Sequence, residues 1–334
     1  MKALVLEELK RPLRMEERAD PVAGPGEVVV TLHAASLNRR DYWITQGLYP
    51  RIRMPVVLGS DGAGVVSAAG EGVGDELVGR EVLVHPAKNW GDDPGAQGED
   101  FEVLGMPEDG TFATHLLTTP SQLHSRPEHL SMFEAAALPI AGLTAWRALF
   151  TQGELQEGQR VLITGSGGGV ALFCVQFAIA AGAEVFVTSS SEEKIKGAID
   201  LGASAGVSYR EKGWAKEFRS SHGQLDLIVD GAGGSDYSGL LELARPASRI
   251  VSYGFTAGAP ESLDLFRLFW KQVRIIGSTL GTRTEMEAML EFISNHQLHP
   301  VIDSTYALRD GNRALDCMKN HQQFGKLALD CGES

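Results

Sequence analysis

The sequence predicts an α/β protein: a doubly wound parallel sheet preceded by a smaller, strand-rich β-barrel part. Three observations carry that expectation. The stretch Arg160–Lys194 reads as strand, glycine-rich turn, all-apolar helix and strand, one βαβ unit of about 30 residues. Downstream of it, short apolar runs alternate with helical patterns, the rhythm of a parallel sheet covered by helices. Finally, 334 residues suffice for two domains, and the first 120 or so differ in character from the rest.

Taken in order, Met1–Leu6 is an apolar strand, and Gly24-Pro25-Gly26 punctuates before a second at Glu27–His33. Ser36–Pro50 mixes polar, aromatic and glycine residues. The glycine-spaced run Met54–Gly74 follows, lacking strict alternation but suited to a bent strand in a small barrel. His85–Pro107 is a polar excursion without periodicity, a loop lobe. Ser131–Phe150 reads as helical, broken by Pro139 and Gly142. The βαβ unit supplies strands Val161–Thr164 and Glu184–Thr188 around the helix Val170–Ala181. Strands at Val207–Tyr209, Leu225–Asp230, Arg249–Ser252 and Val273–Thr279 bring the total to six, with helices at Lys212–Ser221 and Asp236–Ala244. The tail holds helices Glu285–Asn295 and Asp310–Asn320 and a strand Lys326–Asp330.

Glycine at the turn has a specific use. A bend this tight needs positive φ, and a pyrophosphate approaches backbone N–H groups only where no Cβ intervenes. The helix start then offers unpaired donors and partial positive charge to the anion. The spacing Ser166-x-Gly168-x-x-Ala171 is a degenerate form of the dinucleotide fingerprint, with strand before and helix after. About 20 residues on, where an acidic side chain would take the ribose 2′-hydroxyl of NAD, stands Ser189. Hydroxyls at Ser189 and Ser190 and the cation of Lys194 suit a 2′-phosphate, so NADPH is the expected coenzyme. Ser190-x-x-Glu193 is also a capping box for the next helix, and both roles can hold together.

A net charge of −13 argues against a nucleic-acid surface. Val161–Ala183 has no charge and is long enough to span a bilayer, but its five glycines and bunched polar residues argue against a membrane span. The start, MKALVLEELK, is too short and acidic for a signal peptide, so a cytoplasmic location is expected. Three dispersed cysteines give no disulfide framework and no structural zinc site; Cys174 reads as a small buried hydrophobe.

Several stretches together carry a resemblance: LNRRDYWITQGLYP, GSDGAGVVSAAG, LPIAGLTAW, the Ser-Gly-Gly-Gly-Val turn, Lys194 with Tyr209, DGAGG, YGFTAG, IIGSTLGTR and FGKLAL. Along the whole chain the sequence resembles the medium-chain dehydrogenase/reductase superfamily, and within it the zinc-independent quinone oxidoreductase branch. The resemblance implies a GroES-like catalytic domain split between residues 1–139 and 282–334, clasping a Rossmann NADP-binding domain at 140–281. It also implies a homodimer joined through the Rossmann sheet. Where the zinc branch has its first cysteine ligand this chain has Asn38, its Gly-His-Glu is Gly59-Ser60-Asp61 here, and the third ligand position falls near Ile140. Asn, Ser and Ile do not supply a tetrahedral zinc site, so no metal is expected.

Carried over by motif, Asn38 and Thr144 are implied beside the nicotinamide riboside. Ser166, Gly167, Gly168, Gly169 and Val170 would hold the pyrophosphate. Lys194, Tyr209, Ser189 and Ser190 would take the 2′-phosphate. Ala232, Gly254, Phe255, Thr279 and Leu280 would line the nicotinamide end, with Lys326 near the phosphates. Without a Lewis acid the small-molecule acceptor must already be electron-poor, a quinone or an α,β-unsaturated carbonyl. Asn38 and Tyr49 are the candidate catalytic donors, Tyr49 being equally suited to closing the cleft, and Asp41 reads as a structural acceptor. The substrate pocket is expected around Trp43, Tyr49, the 85–107 lobe and the aromatic stretch Leu265–Trp270. A non-catalytic NADPH-binding or redox-sensing protein shares every coenzyme residue, and a zinc alcohol dehydrogenase is the third reading.

Overall fold

The computed structural model describes residues 1–235 and 237–332. The chain forms two units, Met1–Ala141 with Thr282–Ser334 (unit 1) and Gly142–Gly281 (unit 2). Unit 1 begins with β1 (Lys2–Leu6), β2 (Arg14–Glu17), β3 (Val28–Ser36), α1 (Arg39–Thr45), β4 (Val56–Val57) and β5 (Asp61–Ala69). It continues through β6 (Glu81–Val84), β7 (Ala87–Lys88), β8 (Glu102–Val103), β9 (His115–Thr118), β10 (Leu123–Ser125) and α2 (Met132–Ala137). Helix α3 (Pro139–Trp146) runs straight through Gly142, which the sequence reading took for a break, and ends in a π-turn at Arg147–Thr151. Pro139 sits at the start of α3, where a missing N–H costs nothing, and a single buried glycine costs only about 1 kcal/mol.

Unit 2 holds β11 (Arg160–Ile163), α4 (Gly169–Ala180), β12 (Glu184–Ser189), α5 (Glu192–Asp200), β13 (Ala205–Ser208), α6 (Trp214–His222) and β14 (Leu225–Asp230). Then come α7 (Tyr237–Leu243), β15 (Ala244–Ser252), α8 (Leu265–Lys271) and β16 (Arg274–Gly277). The expected helix from Asp236 begins, among the described residues, at Tyr237; Asp236 lies outside them, as do Glu333 and Ser334 of the expected 282–334 segment. The six strands form one parallel sheet in the order β13-β12-β11-β14-β15-β16. The doubly wound expectation is met, and the order reverses between β11 and β14, the place where such sheets open a crevice at their carboxyl ends. Helix α4 buries Ala171 to Val175, Phe177 and Ala178, consistent with its lack of any polar face. Cys174 is fully buried there, and burial pushes its thiol pKa well up. A sequence reading cannot separate α8 from loop, because the aromatic run Leu265–Trp270 has no buried stripe: Phe266, Phe269 and Trp270 are all more than 60% exposed.

The chain returns to unit 1 with α9 (Arg283–His296), β17 (Ile302–Ala307), α10 (Gly311–Lys319) and β18 (Lys326–Asp330). Its main sheet runs β10-β6-β5-β3-β18-β17, with β9 also on β3, and a smaller sheet runs β2-β1-β4. The poor alternation of the Met54–Gly74 run has a physical cause. A Cβ on Gly64 would lie 2.0 Å from the Thr31 carbonyl oxygen, and one on Gly62 would lie 2.9 Å from Thr111, so β5 closes on its neighbours only as glycine. Register shifts in β3 at Val29/Val30 and Leu32/Ala34 bend the pair further. One core of Leu, Val, Ile and Phe residues, including Leu4, Leu32, Leu58 and Phe112, holds the unit together. The 85–107 lobe is pinned by the β7–β8 pair and by Trp90 packing edge-on against Phe101 at 5.4 Å.

Candidate functional site

In unit 2 the carboxyl ends of the parallel strands gather most of the coenzyme candidates. Ser166 follows β11, Ser189 ends β12, Tyr209 follows β13, Ala232 follows β14, Gly254 and Phe255 follow β15, and Thr279 and Leu280 follow β16. Thr144 is buried in α3, and Val170 lies in the first turn of α4. The turn itself has the conformation glycine allows: Gly165 and Gly167 have φ of 69° and 121°, and Gly168 caps α4. Ser166 is 2% exposed, yet its Oγ has no hydrogen-bond partner among the described residues. An orphaned hydroxyl beside a helix N-terminus is the donor an anion there would use.

The serine and lysine cluster is assembled as well. Ser189 Oγ donates to the Ser166 carbonyl at 3.1 Å, joining the end of β12 to the turn, and Tyr209 N–H donates to the Ser189 carbonyl. The Lys194 side chain lies across the turn: a Cβ built on Gly167 would stand 2.6 Å from Lys194 Cδ. The helix cap falls one residue later than the sequence suggests. Ser191, not Ser190, accepts the Lys194 N–H, because β12 stays paired with β13 through Ser189 and the chain turns later. Phe255 is 74% exposed.

Two residues at the switch point went unassigned from sequence, though the Asp-Gly-Ala-Gly-Gly run contains one of them. Thr164 Oγ1 donates to Asp230 Oδ1 at 2.6 Å, Gly233 N–H donates to Oδ2 at 2.9 Å, and Gly231 N–H donates to Thr164 Oγ1. The carboxylate thereby locks the turns after β11 and β14 together. Burial pushes the Asp230 pKa up, and these hydrogen bonds oppose the shift.

Unit 1 carries a second polar cluster, around the N-terminus of α1. Asn38 is buried; its Nδ2 donates to Asp61 Oδ2 at 2.8 Å and its backbone N–H to Asp41 Oδ2 at 2.7 Å. Lys326 Nζ donates to Asn38 Oδ1 and the Leu37 carbonyl at 2.8 Å each and to Asp61 Oδ2 at 3.0 Å. Three acceptors match the three N–H bonds of an ammonium. That is different company from the phosphate the resemblance implies for Lys326. Ile140 N–H donates to Asp61 Oδ1 at 2.8 Å, so the positions 38, 61 and 140 do converge. Arg40 Nη1 donates to Ser60 Oγ and, at 2.7 Å, to the Leu104 carbonyl, while its guanidinium stands 5.1 Å from the centroid of the Tyr49 ring. Tyr49 reaches this cluster by its ring face; its hydroxyl makes no hydrogen bond to any described residue.

Burial dominates the electrostatics of this cluster. Burial pushes the Asp41 carboxyl up to about 6, against the pull of Arg40 and the Asn38 N–H. Burial also raises Asp61, with the Lys326 ammonium and the Asn38 and Ile140 donors pulling the other way. The sequence reading left Arg40 without a role and placed Lys326 near the phosphates; Asp41, read as a structural acceptor, does accept the Asn38 N–H. Their common signal is a set of charged residues inside otherwise apolar segments, LNRRDYWI and FGKLAL.

A zinc ion would find these donors already committed. Asn38 Oδ1 takes one cation, Lys326, and Ser60 Oγ takes another, Arg40; Ile140 offers no donor side chain. Among the described residues no group of three or more His, Cys, Asp or Glu side chains could hold a metal. No helix among them is long and apolar enough to cross a membrane.

Comparison with known proteins finds two family matches along the chain. Residues 24–128 match the alcohol dehydrogenase GroES-like domain family and residues 169–295 the zinc-binding dehydrogenase family. The zinc-type alcohol dehydrogenase-like protein YogA of Leptosphaeria maculans is 36% identical, over 96% of this chain and 94% of its own. The acryloyl-coenzyme A reductase of Metallosphaera sedula is 29% identical over 98% of this chain and 99% of its own. Among solved structures, an NAD-dependent alcohol dehydrogenase superposes with a TM-score of 0.94 at 32% identity, covering 99% of this chain and 100% of that one. The 2-octenoyl-CoA carboxylase reductase CinF, in complex with NADP and 2-octenoyl-CoA, gives 0.89 at 25% identity, covering 99% and 87%. The chain belongs to the medium-chain dehydrogenase/reductase superfamily, and it is an oxidoreductase with a nicotinamide-dinucleotide-binding fold.

Proposed function

We propose that the protein is an NADPH-dependent reductase that delivers hydride, without a metal, to a quinone or an α,β-unsaturated carbonyl. One observation carries the reading: the positions aligned with the zinc ligands are tied up by two cationic side chains, Lys326 on Asn38 and Asp61, and Arg40 on Ser60. Two fixed positive charges oppose a dication there. An acceptor that needs no Lewis acid is one whose own conjugation takes up the incoming electron pair. The reductases of acryloyl-CoA and 2-octenoyl-CoA named above act on conjugated acyl groups, which supports this acceptor class.

Bound NADPH would supply the hydride. The chain's part is to hold it: backbone N–H groups of Gly167 to Val170 and Ser166 Oγ for the pyrophosphate, and Lys194, Ser189, Ser190 and Tyr209 for the 2′-phosphate. Ser189 stands where an NAD-binding chain would carry an acid, and the placement of Lys194 over Gly167 supports NADPH. The solved relative described as NAD-dependent makes the opposite preference worth testing directly. Asn38, fixed from three sides, is the donor proposed for the acceptor's carbonyl. A homodimer is supported by the open edge of β16 and the exposed aromatic residues of α8 beside it in sequence.

The test is NADPH and NADH oxidation against quinones, enones, alkenals and enoyl thioesters in parallel, with metal content measured on the same sample. Faster turnover with NADPH on a conjugated acceptor in zinc-free protein is the expected result. Alcohol oxidation with NAD that needs stoichiometric zinc would overturn the proposal.

A further inference from the structure

Arg40 is 9% exposed, carries a permanent charge, and forms no ion pair with any described residue. Its Nη1 is satisfied by Ser60 Oγ and the Leu104 carbonyl, but Nε and Nη2, both buried, have no hydrogen-bond partner among the described residues. Those two nitrogens form one edge of the guanidinium, presenting two roughly parallel N–H bonds, the edge that receives carboxylates and other oxyanions. Buried polar groups are almost always paired, so two unpaired N–H groups on a buried cation call for a partner, an ordered water or a ligand. The apolar face of the same group is covered by the Tyr49 ring. Ser60 and Leu104 fix the head from the other end, so the free edge is held in a defined orientation.

We propose that the Nε–Nη2 edge of Arg40 is an oxyanion subsite that binds the acceptor's carbonyl oxygen and takes up the charge it gains, with the Tyr49 ring as its cover. This rests on the conjugated-acceptor reading above and adds a catalytic residue to it. A bound reduced nicotinamide would supply hydride to the acceptor's β-carbon. The C=C electron pair would then shift towards the carbonyl, and the two N–H bonds of Arg40 would hold the enolate oxygen. Water would protonate the α-carbon and leave as hydroxide, neutralised by solvent, and the oxygen would return to a neutral carbonyl. A guanidinium suits the step because it cannot lose its proton, so its charge is constant across the working pH range.

The central variant is Arg40→Lys, which keeps the charge but removes the forked edge. It should lower kcat on the best conjugated acceptor by about 100-fold or more, the usual loss for an oxyanion donor, while NADPH affinity stays within threefold. Arg40→Ala should recover at least tenfold with guanidinium chloride and not with ethylammonium, a selectivity that a purely structural role would not produce. A turnover-independent arm uses crotonate as the oxyanion probe, followed by calorimetric titration of the wild-type protein and of Arg40→Lys. Binding at least tenfold weaker in the variant supports the subsite even if no acceptor is reduced, in which case only the reductase reading fails. Arg40→Lys within threefold of wild type in kcat, crotonate binding equally to both proteins, or no crotonate binding at all (an edge that serves ordered water only) overturns the proposal.

Discussion

Replacing Lys326 with methionine tests the buried cluster of unit 1 most directly. The ammonium is 4% exposed and donates to the Leu37 carbonyl, Asn38 Oδ1 and the fully buried Asp61. Methionine fills similar volume but leaves Asp61 without its cation. Removing one partner of a buried pair costs about 3–5 kcal/mol, most of it the penalty of the stranded charge. In a unit of this size that corresponds to a Tm lowered by about 6–20 °C, at 2–4 °C per kcal/mol. The sign of the pH dependence follows from Asp61, whose folded pKa is raised by burial. The folded state then holds a proton that the unfolded state gives up, so stability falls as pH climbs from the unfolded value through the folded one, and the full penalty applies above it. Without Lys326 the folded pKa rises further, and the loss is larger at pH 8 than at pH 5. The assay is urea unfolding at the two pH values, with hydrogen exchange of unit 1 peptides separating this unit from the other. Adding Asp61→Asn should return part of the loss at pH 8. Equal losses at both pH values with no return in the double variant would mean that Lys326 contributes packing alone, and the charge argument would fail.

Three further outcomes follow from the same geometry. Asp41, with a carboxyl pushed to about 6 by burial, carries a charge cost above that pH and not below the ordinary carboxylate range; Asp41→Asn should therefore gain stability relative to wild type on going from pH 4 to pH 8, by about 3 kcal/mol at most, as read by urea unfolding. Lys194→Ala should weaken NADPH binding about 10- to 100-fold, the worth of one charge-assisted contact, and leave NADH within threefold in fluorescence titration; equal effects on both would remove Lys194 from the 2′-phosphate. Phe266→Glu with Trp270→Glu should shift sedimentation from dimer to monomer while leaving the fold unchanged by circular dichroism, whereas a wild-type monomer would refute the proposed interface.

Much of unit 2 was legible because its signals are local. A parallel sheet buried on both faces writes continuous apolar runs into the chain, and Leu225–Asp230 and the β12 run can be read almost to the residue. The glycine turn is equally plain, since positive φ at Gly165 and Gly167 leaves little choice of residue. Legibility fails where the partner is remote. Strands β9 and β10 and the register of β3 depend on pairings across the chain, and β5 hides its alternation behind glycines chosen for close approach to Thr31 and Thr111. The cap of α5 slipped by one residue because a neighbouring strand, not the serine run, decides where β12 ends.

The sequence by itself determined the layered α/β architecture, the glycine-rich turn and the lack of zinc-type side chains at positions 38, 60 and 140, because backbone conformation and side-chain chemistry are properties of the residues themselves. Only the tertiary structure decided where the charges go. Lys326 lies 288 positions from Asn38 yet bonds to it, and Arg40 meets Ser60 across two elements. Buried ions are paired by three-dimensional proximity, and the energy of that pairing depends on distance and desolvation, neither of which is written in local sequence.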